Sequence, residues 1–399
     1  MIETEHQYEM QPGRDRAAEV ANTFEWLIIA FLLAFVVRAF IIEPFRIPTG
    51  SMAHTLMGIH FRLRCVQCGY RYEHGIGNYN VPQDMIPSND VDVVSSRCPS
   101  CGCYQPTGGK MPISNGDRIL VLKSLYQFVE PKRWDVIVFK NPLDPSVNYI
   151  KRLVALPGEE IEIVDGDIYI DGRIARKPPM VQDALWMPVY DNDYRPVKPQ
   201  EESFNPSKRW HNPFNLNGSQ WEIDRDDPTN FILDCEAGRE QTFFYDTSRE
   251  SSANNFRADY AYNSVMEFKH LPVCSDIMVR FYAQAGNRGH IGIVLSKYEI
   301  LYRAWVDLEK GKMIIARVFE GTESELASMP VSKTLINGPV LLKFSNVDHQ
   351  LILEFAGEKL KYDLGLFPDS AGERTSNDQM QVKIFGSGKL NISHVAVFR

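Results

Sequence analysis

The first forty or so residues and the rest of the chain follow different hydrophobic periods. Trp26 to Val37 is an unbroken run of twelve apolar residues; Arg38 interrupts it, and Ala39-Phe-Ile-Ile42 resumes it. At 1.5 Å per residue these seventeen positions span roughly 25 Å, which predicts a helix at the short end of what crosses a bilayer. Arg38 lies near one end, where a long side chain can reach the headgroups. The preceding tail is not basic and no small-residue cleavage site follows, so the run reads as an uncleaved anchor over 24–43 behind a tail of 1–23 rather than as a signal peptide. Arg14 and Arg16 precede the run, whereas Arg38, Arg46, Arg62 and Arg64 follow it, so charge alone does not direct the tail to the cytoplasm.

Beyond the anchor the pattern changes to strands. Pro44 and Pro48 disfavour helix over residues 43–52. Arg118–Leu122, Asp135–Phe139 and Tyr149–Val154 read as short strands, and residues 160–174 alternate with a period of two. Within that run Asp171-Gly172 is the signal for a type I′ hairpin. Residues 181–215 are rich in Pro, Asn, Asp and Trp and predict an irregular connection. A second block over 216–399 carries strand patterns at 277–282, 291–295, 340–344, 351–355 and 390–397, which suggests a β-sandwich. Its Gly338–Asp363 stretch resembles a laminin-G or concanavalin-like jelly roll. The fold class expected is mainly β: one core over 44–58 and 112–180, an insert over 59–111, and an inserted or appended sandwich.

Charge and cysteine content narrow the function. With 43 basic and 51 acidic residues the chain has a net charge of −8, and nothing in bulk draws it to nucleic acid. Four of the seven cysteines form two knuckles, Cys65-Val-Gln-Cys68-Gly and Cys98-Pro-Ser-Cys101-Gly, separated by 29 residues. In each, two thiolates can reach one ion while the glycine permits the tight turn behind them. Together they predict a structural Cys₄ zinc site, a zinc-ribbon insert, with a pair of disulfides as the alternative. Cys103 reads as a bystander, and Cys235 and Cys274 as small buried residues.

Two residues offer nucleophilic chemistry. Ser51 follows the apolar run by nine positions, and its hydroxyl needs a neighbouring base to become reactive. His54 is too close in extended chain to reach it without a sharp bend. Lys151 lies in the alternating stretch Tyr149-x-Lys151-x-Leu153; if that face is inward, desolvation favours the neutral amine that a base requires. On the residues alone a solvated edge lysine remains open beside this reading.

Glu43-Pro-Phe-Arg-Ile-Pro-Thr-Gly-Ser-Met-Ala-His-Thr-Leu56 resembles the nucleophile motif of type I signal peptidases (leader peptidases). Gly116-Asp-Arg-Ile-Leu-Val-Leu-Lys123 is similar to a following strand of that family, and Tyr149-Ile-Lys-Arg-Leu-Val-Ala-Leu-Pro-Gly-Glu159 to its lysine motif. The three motifs come in the family's order, within residues 25–58 and 112–178. The resemblance implies an all-β serine endopeptidase, needing no cofactor for catalysis, that removes signal peptides from exported preproteins with small residues before the cleaved bond. It implies Ser51 as nucleophile, Lys151 as general base, and an oxyanion hole from the Ser51 N–H and the Thr49 hydroxyl. Phe45, Ile47, Met52, Leu56, Tyr149 and Ile150 match the substrate-pocket positions, with core packing as the alternative for each. The implied location is the inner (cytoplasmic) membrane, single-pass, with the catalytic domain on the extracytoplasmic face and the bilayer as partner. The family's Gly-Asp-Asn-type motif, which buttresses the lysine, has no match. Either it lies beyond residue 399, or the chain is an inactive homologue whose sandwich binds a glycan or a protein at the membrane.

Overall fold

A computed structural model of the chain describes residues 16–76, 96–105, 111, 113–204, 209–247, 256–258, 262, 271–331, 338–372 and 380–399. Most of the expected tail, Arg14 included, lies outside them, as does much of the 59–111 insert. The chain divides into two compact units, Met1–Arg46 with Arg118–Pro131, and Ile47–Asp117 with Lys132–Arg399.

In the first unit the apolar run forms helix Arg16–Phe40, of which Glu19–Phe40 is long and apolar enough to cross a membrane, with a mean hydropathy of 2.1 and none of its surface buried. The helix stops just short of the expected boundary because the chain turns into strand Ile42–Arg46, paired antiparallel with Arg118–Leu122. Lys123 secures that junction. Its Nζ donates to the Ala39 carbonyl at 3.1 Å and pairs with Glu43 at 3.2 Å, placing a cation where the helix leaves its last carbonyls unsatisfied.

The second unit is β-rich throughout. Val136–Lys140 pairs with Asn148–Arg152, and the hairpin strands Ile161–Val164, Asp167–Ile170 and Arg173–Ile174 form a three-stranded sheet. Asp171 and Gly172 both have positive φ (50° and 73°), the backbone that a type I′ turn requires. His60–Arg64 pairs with Arg71–Gly75 and with Ile113–Ser114.

The remainder is a two-layer sandwich. One sheet runs in the order Phe214–Asn215, Gln241–Tyr245, Val382–Ser387, His290–Lys297, Ile300–Asp307, Lys312–Phe319 and Thr322–Pro330. The other runs Glu222–Ile223, Phe231–Asp234, Lys389–Phe398, Ile277–Ala285, Val340–Val347, Gln350–Phe355 and Glu358–Asp363, and Pro188–Asp191 also pairs with Lys389–Phe398. Pro188–Asp191 and Phe214–Asn215 arise inside the stretch that composition suggested was irregular. Phe281, Phe344, Ile293 and Ile315 are fully buried between the layers, each worth about 1.5–3 kcal/mol of apolar burial. Phe214 packs edge-on against Tyr190, Phe231, Phe243 and Tyr245 at centroid distances of 5.4–5.7 Å, closing one end.

A buried ionic seam joins the hairpin sheet to the sandwich. Lys297 is fully buried, its Nζ 2.8 Å from Asp276 Oδ1 and 3.6 Å from Asp167 Oδ2. Asp348 pairs with Lys177, and Tyr169 Oη lies 3.1 Å from His349 Nε2. Burial disfavours each charge singly, so the Lys297–Asp276 and Lys177–Asp348 charges persist as pairs.

Candidate active site and metal centre

The turn carrying Ser51 is shaped by backbone sterics. Gly50–Met52 is a single 3-10 turn, entered from an extended Thr49 (φ −120°, ψ 156°) and closed by the Ala53 N–H donating to the Gly50 carbonyl at 3.0 Å. A Cβ on Gly58 would lie 2.3 Å from the Thr49 carbonyl carbon, and one on Gly116 would lie 2.3 Å from the Ile47 carbonyl oxygen. Only glycine tolerates such approaches, and Gly116 also holds a φ of 77°. Asp117 completes the frame: its N–H donates to the Met57 carbonyl at 2.8 Å and its Oδ2 accepts from the Met57 N–H at 2.7 Å. Met52 is buried beneath the turn, which leaves Ser51 exposed.

Lys151 meets this turn from strand Asn148–Arg152. Its Nζ donates to Ser51 Oγ at 2.7 Å and to the Ile150 carbonyl at 2.9 Å, and lies 5.6 Å from the Tyr149 ring centroid. The next residue ties the same strand to the same turn. Arg152 Nη2 donates to Thr55 Oγ1 at 3.3 Å while Nη1 donates to the Trp134 carbonyl at 3.0 Å. The inward oily face considered for Lys151 is not what surrounds it: the lysine is exposed, as are Tyr149 and Phe139 on the same face of the pair. Alternation correctly gives an apolar face there, but a two-stranded sheet presents that face outward.

The other expected residues are distributed as follows. Ile47 and Met52 are buried, Leu56 and Ile150 half-buried, and Thr49 and His54 exposed. Phe45 belongs to the first unit, opposite Ile119 in the strand pair there. Tyr262 was missed. Its ring lies over Gly50 and Gly75, where Cβ atoms would come within 2.0 and 2.4 Å of Tyr262 Cε1. Its hydroxyl donates to the Ile59 carbonyl at 3.1 Å, its carbonyl accepts from the Gly75 N–H at 2.7 Å, and burial pushes the phenol up to about 12, so it stays a neutral donor.

The two cysteine knuckles converge. One Sγ of each of Cys65, Cys68, Cys98 and Cys101 lies within 4.8 Å of the others, with Cys65–Cys101 at 3.5 Å and Cys68–Cys98 at 3.6 Å. A disulfide needs about 2.05 Å, whereas a tetrahedron with Zn–S near 2.3 Å has edges of about 3.8 Å. The donor set therefore fits a closed zinc site. Both knuckles fold alike: Gly69 and Gly102 hold φ of 75° and 76°, and their N–H groups donate to the Cys65 and Cys98 carbonyls at 2.9 and 3.0 Å. Each is braced by the arginine before its first cysteine. Arg64 Nε donates to the Gly69 carbonyl at 3.3 Å and Arg97 Nε to the Gly102 carbonyl at 3.2 Å. Cys103 is buried but outside the four, its Sγ donating to the Tyr104 carbonyl at 3.3 Å. Cys235 and Cys274 are only half-buried.

Residues 20–209 match the family model described as signal peptidase, peptidase S26. The S26 segment is somewhat under half of the chain. Signal peptidase I of Rickettsia canadensis (strain McKiel) is 32% identical over 152 residues, covering 37% of this chain and 43% of that protein. That of Rickettsia conorii (strain ATCC VR-613 / Malish 7) is 31% identical over 151 residues, with coverages of 37% and 43%. The chain thus spans less than half the length of these relatives. A solved structure, carbohydrate binding module CBM66 from Bacillus subtilis, overlaps 47% of this chain and 92% of its own at 12% identity, with a TM-score of 0.27. The S26 match contains Ser51, Lys151 and all four knuckle cysteines, so the insert lies within the matched range rather than beside it.

Proposed function

We propose that the chain is a membrane-anchored serine endopeptidase that removes signal peptides from exported preproteins, with Ser51 as nucleophile and Lys151 as base. The observation that supports it is the 2.7 Å contact between Lys151 Nζ and Ser51 Oγ inside the S26 segment. In the reacting form the amine is neutral. It accepts the Ser51 proton as Oγ attacks the carbonyl carbon, the tetrahedral oxyanion forms, and the ammonium then returns a proton to the leaving amine. Water resolves the acyl-enzyme with the same lysine as base. The Ser51 N–H and Thr49 hydroxyl would supply the oxyanion donors. Ile47, Met52 and Ile150 would line a pocket suited to a small side chain before the cleaved bond.

A neutral amine requires exclusion of water. Phe139 and Tyr149, ring centroids 6.0 Å apart, flank Lys151 with outward apolar surface, and Leu143 at the hairpin tip is 95% exposed. A lipid surface laid on this face would supply that exclusion. The four cysteines would hold zinc as a rigid brace at the base of the strand that leaves the Ser51 turn, with no part in the chemistry. The test is cleavage of a preprotein by wild type, Ser51→Ala and Lys151→Met in lipid. Both variants are expected to fold and to lose cleavage. Activity retained in either rejects the dyad and favours the rival reading, a membrane-tethered binding protein.

A further inference from the structure

The outer face of the sandwich's seven-stranded sheet carries a polar and aromatic constellation that the peptidase reading does not use. On strand Ile300–Asp307, Tyr302, Ala304 and Val306 point into the core, so Arg303 and Trp305 point out. Strand Val382–Ser387 places Phe385 on that same outer side, 1% exposed yet separate from the main core cluster. Gly292 makes the space: a Cβ there would meet Phe385 Cζ at 2.6 Å and Trp305 Cβ at 2.5 Å. Arg303 stacks its guanidinium 4.2 Å over the Phe385 ring and lies 5.7 Å from the Trp305 ring.

Two carboxylates fix the guanidinium. Glu240 Oε2 accepts from Arg303 Nη2 at 2.7 Å and contacts His290 Nε2 at 2.9 Å, while Glu323 Oε2 lies 3.0 Å from Arg303 Nε. His290 is held in turn by Ser387 Oγ at 3.0 Å from Nδ1. Arg303 Nη1 and the Trp305 Nε1–H find no partner among the described residues, although both side chains are half-buried. This leaves fixed donors and carboxylate acceptors beside an indole face.

We propose that this face binds neutral carbohydrate, with one pyranose ring stacked on Trp305 and its hydroxyls shared between Arg303 and Glu240. The charge balance selects the class: two carboxylates around one guanidinium leave no excess positive charge for a phosphate or sulfate and no open pair for a cation. A sugar hydroxyl both donates and accepts, so one vicinal pair can engage guanidinium and carboxylate together. The electron-rich indole face attracts the polarised C–H groups of a pyranose. Shape is fixed before binding by the Phe385–Arg303–Glu240 scaffold, which limits the ordering cost. The proposal stands independently of the peptidase reading.

The experiment uses the full chain in a detergent without a sugar headgroup, probed on an array of neutral oligosaccharides of hexoses and N-acetylhexosamines, with sulfated and sialylated glycans as a second set. Wild type is expected to bind at least one neutral glycan. Trp305→Ala and the near-isosteric Glu240→Gln should each weaken it by about tenfold or more, with unchanged thermal melts, and Trp305→Phe should retain most of it. The proposal is overturned if no neutral glycan binds, if only anionic glycans bind, or if folded Trp305→Ala and Glu240→Gln variants both bind as wild type does.

Discussion

Arg152 Nη2 donates to Thr55 Oγ1 at 3.3 Å, joining residues 97 positions apart, one directly after Lys151 and the other four residues past Ser51. A base and a nucleophile on separate segments react only as well as those segments are held in register, and a 1 Å displacement is costly. Arg152→Ala and Thr55→Val are therefore expected to lower kcat for preprotein cleavage, by about tenfold for Arg152 as the loss of a charged hydrogen bond, with little change in KM. Arg152→Lys should recover part of it. Steady-state kinetics check this; a rise in KM with unchanged kcat would assign the pair to substrate binding instead.

The exposed apolar face beside Lys151 predicts lipid dependence. Replacing Leu143 with Asp and Phe139 with Ser removes surface that a bilayer would cover, so water reaches the site. Cleavage in vesicles should fall toward the level that wild type shows in detergent. Rates of wild type and of the double variant, measured in vesicles and in detergent, test the point. Equal rates for wild type and the variant in vesicles count against lipid as the cover for this face.

Much of the fold can be read from period-two alternation, because strands buried on one side alternate and those buried on both read as apolar runs such as Ile291–Leu295. Burial at Lys151 was illegible for the complementary reason: alternation says which side chains share a face, not whether anything covers it. The contact between Ser51 and Lys151 spans 100 residues, and only the family resemblance suggested it. Tyr262 over Gly50 left no trace, since neither residue type signals the other at that separation. The two arginines bracing the knuckles were visible all along as Arg-Cys-x-x-Cys-Gly repeated, but the pattern gains meaning only when each Nε is found on its glycine carbonyl.

Those arginines carry a prediction. A Zn(Cys)₄ centre has a net charge near −2, and guanidinium groups at the knuckles both orient the turns and offset that charge. The purified protein should contain about one zinc ion per chain, lost in Cys65→Ser, while Arg97→Ala should keep the metal but release it to a chelator at about tenfold lower concentration. A wild-type mass two hydrogens lower per bridged pair, with no zinc, would replace the metal by disulfides.

Gly58 and Gly116 test how the nucleophile turn is built. Both positions sit against carbonyl groups of the Ile47–Thr49 segment, where an added methyl has no room. Alanine at either is expected to displace the turn and cost about 1–3 kcal/mol, with a loss of cleavage larger than the loss of melting temperature would explain. At Gly158, whose Cβ would meet nothing within 4 Å, alanine pays only for the positive φ and should leave cleavage intact. Equal effects at all three positions would remove the steric account.

The ionic seam predicts an unusual pH response. Burial, and then the Asp276 charge, push the Asp167 carboxyl up to about 7, against about 3.9 in an unfolded chain. Between those values the folded state holds a proton that the unfolded state releases. Its stabilising contribution is thus fully present below about 4 and is lost as pH rises through 7, at no more than about 1.4 kcal/mol per pH unit. His349 acts with the opposite sign over part of this window. Burial and the Lys297 charge hold it down to about 4, so its contribution is present above about 6.5 and is lost as pH falls toward 4. The two effects oppose each other in the wild-type curve, and the Asp167 share is isolated by difference. Asp167→Asn, which has no proton to lose, should gain stability relative to wild type as pH rises from 5 to 8, measured by denaturant midpoints at each pH. A difference that stays constant across that range would mean that Asp167 is already ionised in the folded protein, held by Lys297.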